Sequence, residues 1–558
     1  MTRDRLDAYH FYERDWESYE ELQAAFEFEI PETFNMATYT CERWAAEDRG
    51  TALYAESEDG REETYTFSRL DREATQLASY LADRGIERGD RVGVNLPTRP
   101  ETLLTHLAAW KLGAVSVPLS TLFGPDALSY RLDDCSARAC VVDAANAEAL
   151  FAVRDDLDDL DVVLAVDGDE STDATAFETA LAAGDRQVET ATVDAEDDAM
   201  IIYTSGTTGQ PKGVRHAHRF LLGNLPGYVM GVCNMQVEDG DVNWHVAQWS
   251  WVSSLFLGLF CPLFYGNPVL AHEGGPFDPE RAFELVEKYD VVNFFAPPTG
   301  LRMMMQTEAT DRFDVASVRT VSSGGEAVGL SIVEWAREVF DGAAVHEMYG
   351  QTEAHTGVTD CTALYEFREG KLGRPVVGVD LRIVDPETAE ETVDPGEVGE
   401  FAIRYDHPAC FKEYWNKPEK TAGKVHDGWL LYEDLGTYDE DGYFTFVSRK
   451  DDVIISAGYR IGPEEVEECL ARHEAVADAG VIGVPDDERG KVPKAFVVLS
   501  AGHEPTAALE EDLRQFVRER LAKYEYPREI EFLDELPKTT TGKVRRASLR
   551  DREDRTDA

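Results

Sequence analysis

The chain has 558 residues, 43% hydrophobic and 10% aromatic, so it is long enough for several folded domains and too apolar to be disordered. Its 108 acidic residues outnumber 54 basic ones, and a formal charge of −54 disfavours binding to nucleic acid or to an anionic membrane. The acidic residues are spread along the chain, as in cytoplasmic proteins of salt-accumulating halophiles. We therefore expect a cytoplasmic protein adapted to high salt; the alternative is an ordinary acidic protein.

The first residues, MTRDRLDAYHFYERDWESYEEL, contain no apolar core of a signal peptide. Residues 242–272 carry no Asp, Glu, Lys or Arg, but polar residues interrupt them and acidic residues flank them, so we expect a buried helix that lines a pocket and no membrane span. The eight cysteines form no CxxC pair and no cluster with histidine, which predicts reduced core residues and no zinc site. They are Cys41, Cys135, Cys140, Cys233, Cys261, Cys361, Cys410 and Cys469.

Helix and strand patterns alternate along the first part of the chain. Residues 68–85 predict a helix that ends at Gly85, and strands at 91–96, 114–119 and 139–143 and a helix over 101–112 follow. The apolar stripe of the first helix comprises Leu70, Ala74, Leu77, Ala78 and Leu81. Further strands are expected at 199–204, 292–298, 320–328 and 344–350. This alternation predicts an α/β fold with parallel sheets covered by helices.

The last third of the chain has a different pattern. Short apolar runs at 379–385 and 399–405, separated by Pro, Gly and Asp, predict a small antiparallel sheet or barrel. Beyond residue 460 a helix, two strands, a helix and a strand predict a compact α+β unit. We therefore predict a large N-terminal domain over residues 1–450 and a small, mobile C-terminal domain over residues 451–558.

The segment YTSGTTGQPKGV, residues 203–214, looks like a phosphate-binding loop, but Pro211 and Gly213 stand where a Walker motif requires Gly and Ser or Thr. It follows an apolar strand, and its hydroxyl groups, flexible backbone and one cation can together hold phosphate. A flexible Ser/Thr/Gly loop is the alternative for any few of these residues, and the full set favours the phosphate site. The candidates are Thr204, Ser205, Gly206, Thr207, Thr208, Gly209 and Lys212.

Four further segments follow in order: SSGGEAV (322–328), MYGQTEA (348–354), YEDLG with SRKDDVIISAGYRIGPEEVE (432–467), and PKTTTGKVRR (537–546). With the loop at 203–214 they resemble the motifs of the adenylate-forming superfamily, which includes acyl-CoA synthetases, luciferases and the adenylation domains of peptide synthetases. The resemblance spans residues 40–546. It implies an enzyme that uses ATP, Mg²⁺, coenzyme A and a small carboxylic acid.

The resemblance also implies roles for single residues around ATP. Glu353 would hold Mg²⁺ on the phosphates, with Thr204 as a second residue on the metal side. Asp434 and Arg449 would bind the ribose. Adenine and the α-phosphate would be enclosed by Gly324, Gly325, Glu326, Glu347, Met348, Tyr349, Gly350, Gln351 and Thr352.

Lys543 is the principal catalytic candidate, together with Lys212 and Glu353. It lies in a segment with four cations, Lys538, Lys543, Arg545 and Arg546, in an acidic chain. A basic tail is the alternative for a generic protein, whereas the resemblance assigns Lys543 to the carboxylate and the α-phosphate during adenylate formation.

The resemblance further implies a rotating small domain whose hinge is Asp451, with the neighbouring Lys450 as the alternative. It suggests candidates that line the thiol channel or bind the phosphates of coenzyme A. These are Ala457, Gly458, Tyr459, Arg460, Arg489, Tyr526 and Arg528.

Two residues bear on the acid. Family members restricted to acetate resemble one another in the motif WWQTE, whereas this chain has Gly350 at the place of the second Trp. We expect the missing indole to leave an open apolar volume, and hence a substrate longer than acetate. Trp251 aligns with the acyl-pocket Trp of medium-chain synthetases, and plain core packing is the alternative for the segment around it.

The resulting expectation is a medium-chain acyl-CoA synthetase that forms acyl-AMP. An aryl or short branched-chain acid ligase of benzoate, cinnamate or propionate type is the alternative. An adenylation domain that loads a carrier protein, a luciferase-type oxygenase and a degenerate nucleotide-binding protein are rival classes. The sequence leaves open whether the protein forms a homo-oligomer.

Overall fold

The computed structural model describes residues 5–168, 174–184, 188–204, 210–307, 310–386, 388–389, 392–450, 452–456, 459–486, 489–521, 525–538 and 543–556. The strands are β1 Thr51–Ser57, β2 Glu62–Thr66, β3 Arg91–Asn95, β4 Val115–Pro118, β5 Ala137–Asp143, β6 Val162–Val166, β7 Thr175–Ala176, β8 Asp198–Thr204, β9 Lys212–Ala217, β10 Val242–His245, β11 Val269–Glu273, β12 Val291–Phe295, β13 Thr320–Gly324, β14 Ala344–Gln351, β15 His355–Thr359, β16 Arg374–Pro375, β17 Leu381–Val384, β18 Gly399–Arg404, β19 Glu413–Tyr414, β20 Val425–His426, β21 Trp429–Tyr438, β22 Phe444–Arg449, β23 Ile454–Ser456, β24 Tyr459–Ile461, β25 Val476–Asp486, β26 Gly490–Leu499 and β27 Glu529–Phe532.

The α-helices are α1 Tyr19–Ala25, α2 Arg43–Ala46, α3 Phe67–Asp83, α4 Pro100–Lys111, α5 Pro125–Asp134, α6 Ala147–Phe151, α7 Phe177–Ala183, α8 Phe220–Gly227, α9 Val252–Leu255, α10 Cys261–Phe264, α11 Pro279–Lys288, α12 Pro298–Met305, α13 Leu330–Val339, α14 Pro418–Lys424, α15 Pro463–Ala471, α16 Ala507–Arg520 and α17 Arg546–Thr556. Short 3₁₀ helices span Asp7–Glu13, Arg154–Asp156 and Thr310–Arg312, and π-helical turns span Thr38–Glu42, Tyr228–Val232 and Phe256–Phe260.

The chain divides into two compact units. The first comprises Met1–Asp380 and Arg404–Gly428, and the second comprises Leu381–Ile403 and Trp429–Ala558. The boundary that we predict between residues 450 and 451 stays a prediction.

The first unit contains two mixed sheets whose central strands are parallel. One has the order β19-β9-β8-β4-β3-β5-β6-β7, and the other has the order β16-β15-β14-β13-β12-β10-β11-β1-β2. Helices pack on both sheets, and buried apolar side chains of the strands and helices form their cores. This confirms the predicted α/β class, in which ligands bind beyond the carboxyl ends of the parallel strands.

Helix α3 forms where the sequence pattern predicts a helix. Thr66 caps it by accepting a hydrogen bond of 3.1 Å from the backbone N–H of Arg69. The whole apolar stripe from Leu70 to Leu81 is buried. Gly85 adopts a φ of +84°, a conformation that glycine reaches without strain just after a helix.

The uncharged segment 242–272 is more complex than the single buried helix that we expect from its sequence. It begins with β10, continues through α9, a π-helical turn and α10, and ends in β11. Strand β10 lies between β11 and β12 in the nine-stranded sheet, so its side chains are buried on both faces and show no alternation. The helical part is buried as expected, and no helix of the described residues is long and apolar enough to cross a bilayer.

Strand β9 is absent from the sequence prediction, which places a helix directly after the loop at 203–214. It pairs antiparallel with β8, and the register places Thr204 opposite Lys212. Its charged and histidine residues hide the strand pattern.

All eight cysteines are buried and free, as predicted, and no cluster of three metal-ligating side chains occurs in the part of the chain that the structure describes.

The second unit contains two small sheets. Strands β17, β18, β21 and β22 belong to one sheet, in which β17 pairs antiparallel with β18 and β21 pairs antiparallel with β22, in agreement with the small sheet expected after residue 374. The C-terminal sheet has the order β24-β23-β26-β25, with β27 parallel to β26. Helices α15 and α16 pack on it in the order that the sequence predicts, and the antiparallel strands β23 and β24 and helix α17 are additional elements.

Candidate active site

The two ends of the glycine-rich segment meet at the edge of the eight-stranded sheet. Thr204 is the last residue of β8, and its partner Lys212 is the first residue of β9. The Oγ1 atom of Thr204 is buried and has no hydrogen-bond partner among the described residues, so this hydroxyl is available to a ligand. Ser205, Gly206, Thr207, Thr208 and Gly209 lie outside the described residues.

A tyrosine joins the two residues that we expect to handle the phosphates and the metal. The Nζ atom of Lys212 lies 3.4 Å from the hydroxyl of Tyr414 and 4.5 Å from the centroid of its ring. The same hydroxyl donates a hydrogen bond of 2.5 Å to Oε1 of the buried Glu353. Lysine, tyrosine and glutamate therefore form one line of contacts, and a bond of this length to a carboxylate is charge-assisted.

Backbone pairing explains how Tyr414 reaches this position. Strand β19 pairs antiparallel with β9, which places Tyr414 opposite Val214. The backbone N–H of Phe411 donates a hydrogen bond of 2.7 Å to the carbonyl of Glu353. The segment that carries Tyr414 therefore holds both the backbone and the side chain of Glu353.

A second cation lies close to the GQTE segment, residues 350–353. The buried ammonium of Lys424, at the end of α14, donates a hydrogen bond of 3.3 Å to Oε1 of Gln351. Gln351 ends β14, and Thr352 and Glu353 lie in the turn to β15. The sequence predicts no role for Lys424 or Tyr414, because both lie outside the recognised motifs. Aromatic and basic residues in 411–424 are the only signal, and it is weak.

The predicted adenine-facing turn follows β13. A Cβ atom at Gly324 would lie 2.4 Å from the carbonyl oxygen of Met348, and Gly325 has a φ of +88°. Both glycines are therefore required by the close approach of β13 and β14 and by the turn itself. The carboxylate of Glu326 is held by Arg302 at 3.1 Å and by the hydroxyl of Thr299 at 3.2 Å.

The remaining residues of the GQTE strand differ in exposure. Glu347 accepts a hydrogen bond of 3.3 Å from the backbone N–H of Val328, which ties β14 to the turn after β13. Met348 is buried and Tyr349 is half-buried. The structure therefore brings the predicted adenine-side residues together at the ends of two neighbouring strands.

The two residues expected to contact the acid are placed differently. Trp251 precedes α9 and is 37% exposed, although the helical segment that follows is buried. Gly350 does not leave an open volume, because a Cβ at this position would lie 1.7 Å from the carbonyl oxygen of His355 on the paired strand β15. The expectation that Gly350 leaves an open apolar volume is therefore wrong. The backbone of β15 occupies the space into which a side chain at position 350 would point.

In the second unit, Asp434 and Arg449 face each other across β21 and β22. The carboxylate of Asp434 is nearly buried and lies 3.7 Å from Nε of Arg449. Lys450 donates hydrogen bonds to Glu400 at 2.7 Å and to the carbonyl of Pro386 at 2.8 Å. The hinge candidate Asp451 lies outside the described residues.

The four cations around Lys543 have different environments. Lys538 pairs with Asp478 at 2.7 Å, and the guanidinium of Arg546 pairs with Glu464 and Glu467, each at 2.7 Å. Burial raises the pKa of the Glu464 carboxyl, and Arg546 opposes that rise. Lys543 and Arg545 are exposed side chains. Lys538 is exposed as well, so among these four cations Arg546 is the one that is largely shielded from solvent.

The coenzyme A candidates lie on the C-terminal sheet. Tyr459 and Arg460 belong to β24, and Arg489 directly precedes Gly490, which pairs with Ser456 of β23. The guanidinium of Arg528 lies 4.2 Å from the ring centroid of Tyr526. Ala457 and Gly458 lie outside the described residues.

Comparison with known proteins gives concordant matches over most of the chain. Residues 41–415 match the family model described as AMP-binding enzyme, and residues 465–543 match the model described as AMP-binding enzyme C-terminal domain. The acetyl-coenzyme A synthetase of Bacillus subtilis (strain 168) is 34% identical over 88% of this chain and 85% of that protein.

A mammalian relative and a solved structure are also similar to this chain over nearly its whole length. The mitochondrial acyl-coenzyme A synthetase ACSM3 of Mus musculus is 32% identical over 97% of this chain and 94% of that protein. The crystal structure of the anthranilate CoA ligase AuaEII in complex with anthranoyl-AMP is 28% identical, with a TM-score of 0.86 over 95% of this chain and 99% of that chain.

Proposed function

The chain belongs to the family of AMP-binding enzymes, and from this premise we propose that it activates a medium-chain fatty acid with ATP and transfers the acyl group to coenzyme A. As an AMP-forming acid–thiol ligase it uses ATP, coenzyme A and a carboxylic acid. The observation that carries the assignment of the site is the contact line from Lys212 through Tyr414 to Glu353.

The reaction has two steps. A carboxylate oxygen attacks the α-phosphorus of ATP, pyrophosphate leaves, and acyl-AMP forms. The thiol of coenzyme A then loses its proton and attacks the acyl carbonyl carbon, and AMP leaves. The first step brings an anion to an anion, so positive charge at phosphorus lowers its barrier.

Lys212 and Lys424 would supply part of this charge in the first unit. Lys212 would reach phosphate oxygens from the first residue of β9, and Lys424 would orient Gln351 through its hydrogen bond. Tyr414 would fix Glu353 and keep the ammonium of Lys212 in place. A buried carboxylate held in this way keeps one orientation and loses little entropy when a ligand binds.

The site suits Mg²⁺. Glu353 is a buried carboxylate, and the Oγ1 atom of Thr204 is a buried hydroxyl without a partner in the described part of the chain. Hard oxygen ligands of this kind, one carboxylate with phosphate oxygens, are those that Mg²⁺ prefers. When bound there, Mg²⁺ would offset the negative charge of the triphosphate.

The second unit would contribute ribose recognition and the catalytic ammonium. Asp434, held beside Arg449, offers two acceptor oxygens to ribose hydroxyls. We assign Lys543 to the carboxylate and the α-phosphate from its motif, and Asp451 to the hinge. Our candidates for coenzyme A binding are Ala457, Gly458, Tyr459, Arg460, Arg489, Tyr526 and Arg528.

Three observations bear on the acid. The half-exposed Trp251 precedes a buried apolar helical segment, which suits an aliphatic chain. An aryl acid is the second candidate, because the similar structure of AuaEII is titled an anthranilate CoA ligase. The similarity to an acetyl-coenzyme A synthetase makes acetate a necessary member of any test.

Exchange of labelled pyrophosphate into ATP tests the first step without coenzyme A. We expect exchange that depends on the acid, with kcat/KM for hexanoate and octanoate at least tenfold above acetate, benzoate and anthranilate, since each buried methylene contributes about 0.8 kcal/mol. Formation of the thioester is then followed with coenzyme A in molar KCl. A preference for acetate or for an aryl acid would overturn the medium-chain assignment.

Lys543→Gln tests the catalytic assignment. We expect acid-dependent exchange to fall about 100- to 1000-fold, as when a charge-stabilising donor is removed. Lys538→Gln is the matched control, because Lys538 lies in the same segment and pairs with Asp478. Equal exchange rates in the Lys543→Gln variant and the wild type would refute the role of Lys543.

A further inference from the structure

A cavity of about 530 Å³ opens on the first unit at the edge where β13 and β14 begin. Arg319, which directly precedes β13, and Ala344, the first residue of β14, both line it. The candidate active-site residues Gly324 and Gln351 end the same two strands. The cavity therefore lies at the opposite edge of the sheet from the adenine-side residues.

Two guanidinium groups line the cavity, those of Arg319 and Arg337. Arg337 on α13 lies 5.0 Å from the ring centroid of Phe367, and within the described ranges its side chain makes no ion pair or hydrogen bond. Arg319 pairs with Asp241 and, at 3.4 Å, with the exposed Glu238. An exposed ion pair such as Arg319–Glu238 contributes little, so a bound anion can replace it.

The polar wall of the cavity is built on strained backbone. Asn234 and Met235 have φ values of +48° and +64°, a conformation that non-glycine residues rarely adopt. The Oδ1 atom of Asn234 accepts a hydrogen bond of 2.8 Å from the backbone N–H of Ala363, which fixes the loop that carries Thr362. Adjacent residues held in this region are typical of ligand sites.

We propose that this cavity binds a small molecule that carries a phosphate or carboxylate group. Its volume lies in the range of small-molecule sites, and a guanidinium group can bind a carboxylate or phosphate through two parallel hydrogen bonds. The amides of Asn234 and Gln236 and the hydroxyl of Thr362 add neutral polar groups. Asp341 also lines the cavity and limits how much negative charge the ligand can carry.

The cavity contacts the strand that carries the GQTE motif. The backbone N–H of Thr362 donates a hydrogen bond of 3.1 Å to Nε2 of His346, and the N–H of Glu347 donates one of 3.1 Å to Oδ2 of the buried Asp360. Burial lowers the pKa of His346 and raises the pKa of Asp360, and the positive charge of Arg337 lowers both. A ligand on Arg337 and Thr362 therefore acts on β14 immediately before Met348, and we expect it to change the affinity for ATP.

Calorimetric titration of the full chain with inorganic phosphate, pyrophosphate and succinate tests the proposal. The titrations are done in the Lys212→Ala background, so that phosphate binding at the candidate active site does not contribute. We expect saturable binding of at least one probe. The probe that binds distinguishes a phosphate ligand from a carboxylate ligand.

Two variants and a control locate the binding. Arg337→Gln removes a guanidinium, and Ala316→Glu adds a negative charge at the exposed rim; each is expected to weaken binding at least tenfold. Arg72→Gln, on the exposed side of α3, is expected to leave it unchanged. No saturable binding of any probe, or equal binding in the Arg337→Gln variant, would overturn the proposal.

The coupling to ATP is measured separately, in a chain with intact Lys212. The dissociation constant of ATP is expected to change at least threefold when the cavity is saturated, and to stay constant in Arg337→Gln. Unchanged ATP affinity with an occupied cavity would overturn the coupling. Failure of the proposed acyl-CoA synthesis would leave the binding result intact, because binding is measured without turnover.

Discussion

The phenol of Tyr414 donates a hydrogen bond of 2.5 Å to Oε1 of Glu353, and both groups are buried. The same phenol is within 3.4 Å of the ammonium of Lys212. One side chain thereby fixes a carboxylate and a cation that come from different sheets of the first unit.

Tyr414→Phe is expected to lower kcat/KM for ATP in the exchange reaction by about 10- to 100-fold, because a hydrogen bond to a charged group contributes about 1.5–3 kcal/mol. The phenylalanine keeps the ring beside Lys212, so the effect reports the hydroxyl. Tyr19→Phe is the matched control, since its hydroxyl donates to the carbonyl of Pro375 in the same unit. Wild-type kinetics in Tyr414→Phe would remove Tyr414 from the site.

Gly350→Ala is expected to destabilise the first unit by roughly 3 kcal/mol or more, because the added methyl would overlap the carbonyl oxygen of His355. The larger Gly350→Trp is then expected to misfold and not to acquire selectivity for acetate. Gly423→Ala on α14, where a Cβ would meet nothing within 4 Å, serves as the control and is expected to be neutral or slightly stabilising. A well-folded Gly350→Trp variant that prefers acetate would restore the open-volume argument.

The fold follows from the sequence wherever a local pattern carries it. Helix α3 and strands β4 and β5 can be predicted because the helix buries one apolar face and the strands are buried almost throughout. Strand β9 escapes this reasoning because its charged residues break the pattern while its backbone pairs with β8. The secondary structure of residues 242–272 is predicted poorly for a different reason. Burial on all sides removes the periodicity that distinguishes a helix from a strand.

The residues of the candidate site also differ in whether a local sequence pattern predicts them. Lys212 and Glu353 belong to motifs and can be recognised in the sequence, whereas Tyr414 and Lys424 reach the site only through long-range pairing of β19 and packing of α14. Gly350 shows a further limit, because a glycine permits either an empty volume or a close backbone approach. Only the structure distinguishes these two cases.

Asp360→Asn is expected to stabilise the protein at alkaline pH. Burial raises the pKa of Asp360 from 3.8 to about 7, so the folded protein keeps a proton that the unfolded chain releases. The stability that this group contributes is therefore full below about pH 4 and is lost as the pH rises to about 7. Asparagine mimics the protonated side chain and removes that loss.

Urea unfolding of the variant and the wild type from pH 5 to 8 measures this difference. At about 1.4 kcal/mol per pKa unit, the gain from Asp360→Asn is expected to be larger at pH 8 than at pH 5 by on the order of 2 kcal/mol. Asp15→Asn, at an exposed position, is expected to give the same stability difference at both pH values. A gain that does not vary with pH would show that the carboxyl is already ionised in the folded state at pH 5.

The charge of −54 predicts a dependence of stability on salt. Repulsion between surface carboxylates acts over about 10 Å at 0.1 M salt and about 3 Å at 1 M, so the melting temperature is expected to rise steeply over this range and to level off above it. KCl and NaCl at equal ionic strength should act alike if screening is the cause.

Replacing the exposed Asp155, Asp156, Asp158 and Asp159 by Asn should raise the melting temperature most at 0.1 M and less at 2 M. Equal melting temperatures of the wild type at 0.1 M and 2 M KCl would contradict the high-salt adaptation, and an equal gain from the four substitutions at both concentrations would rule out screening as its mechanism.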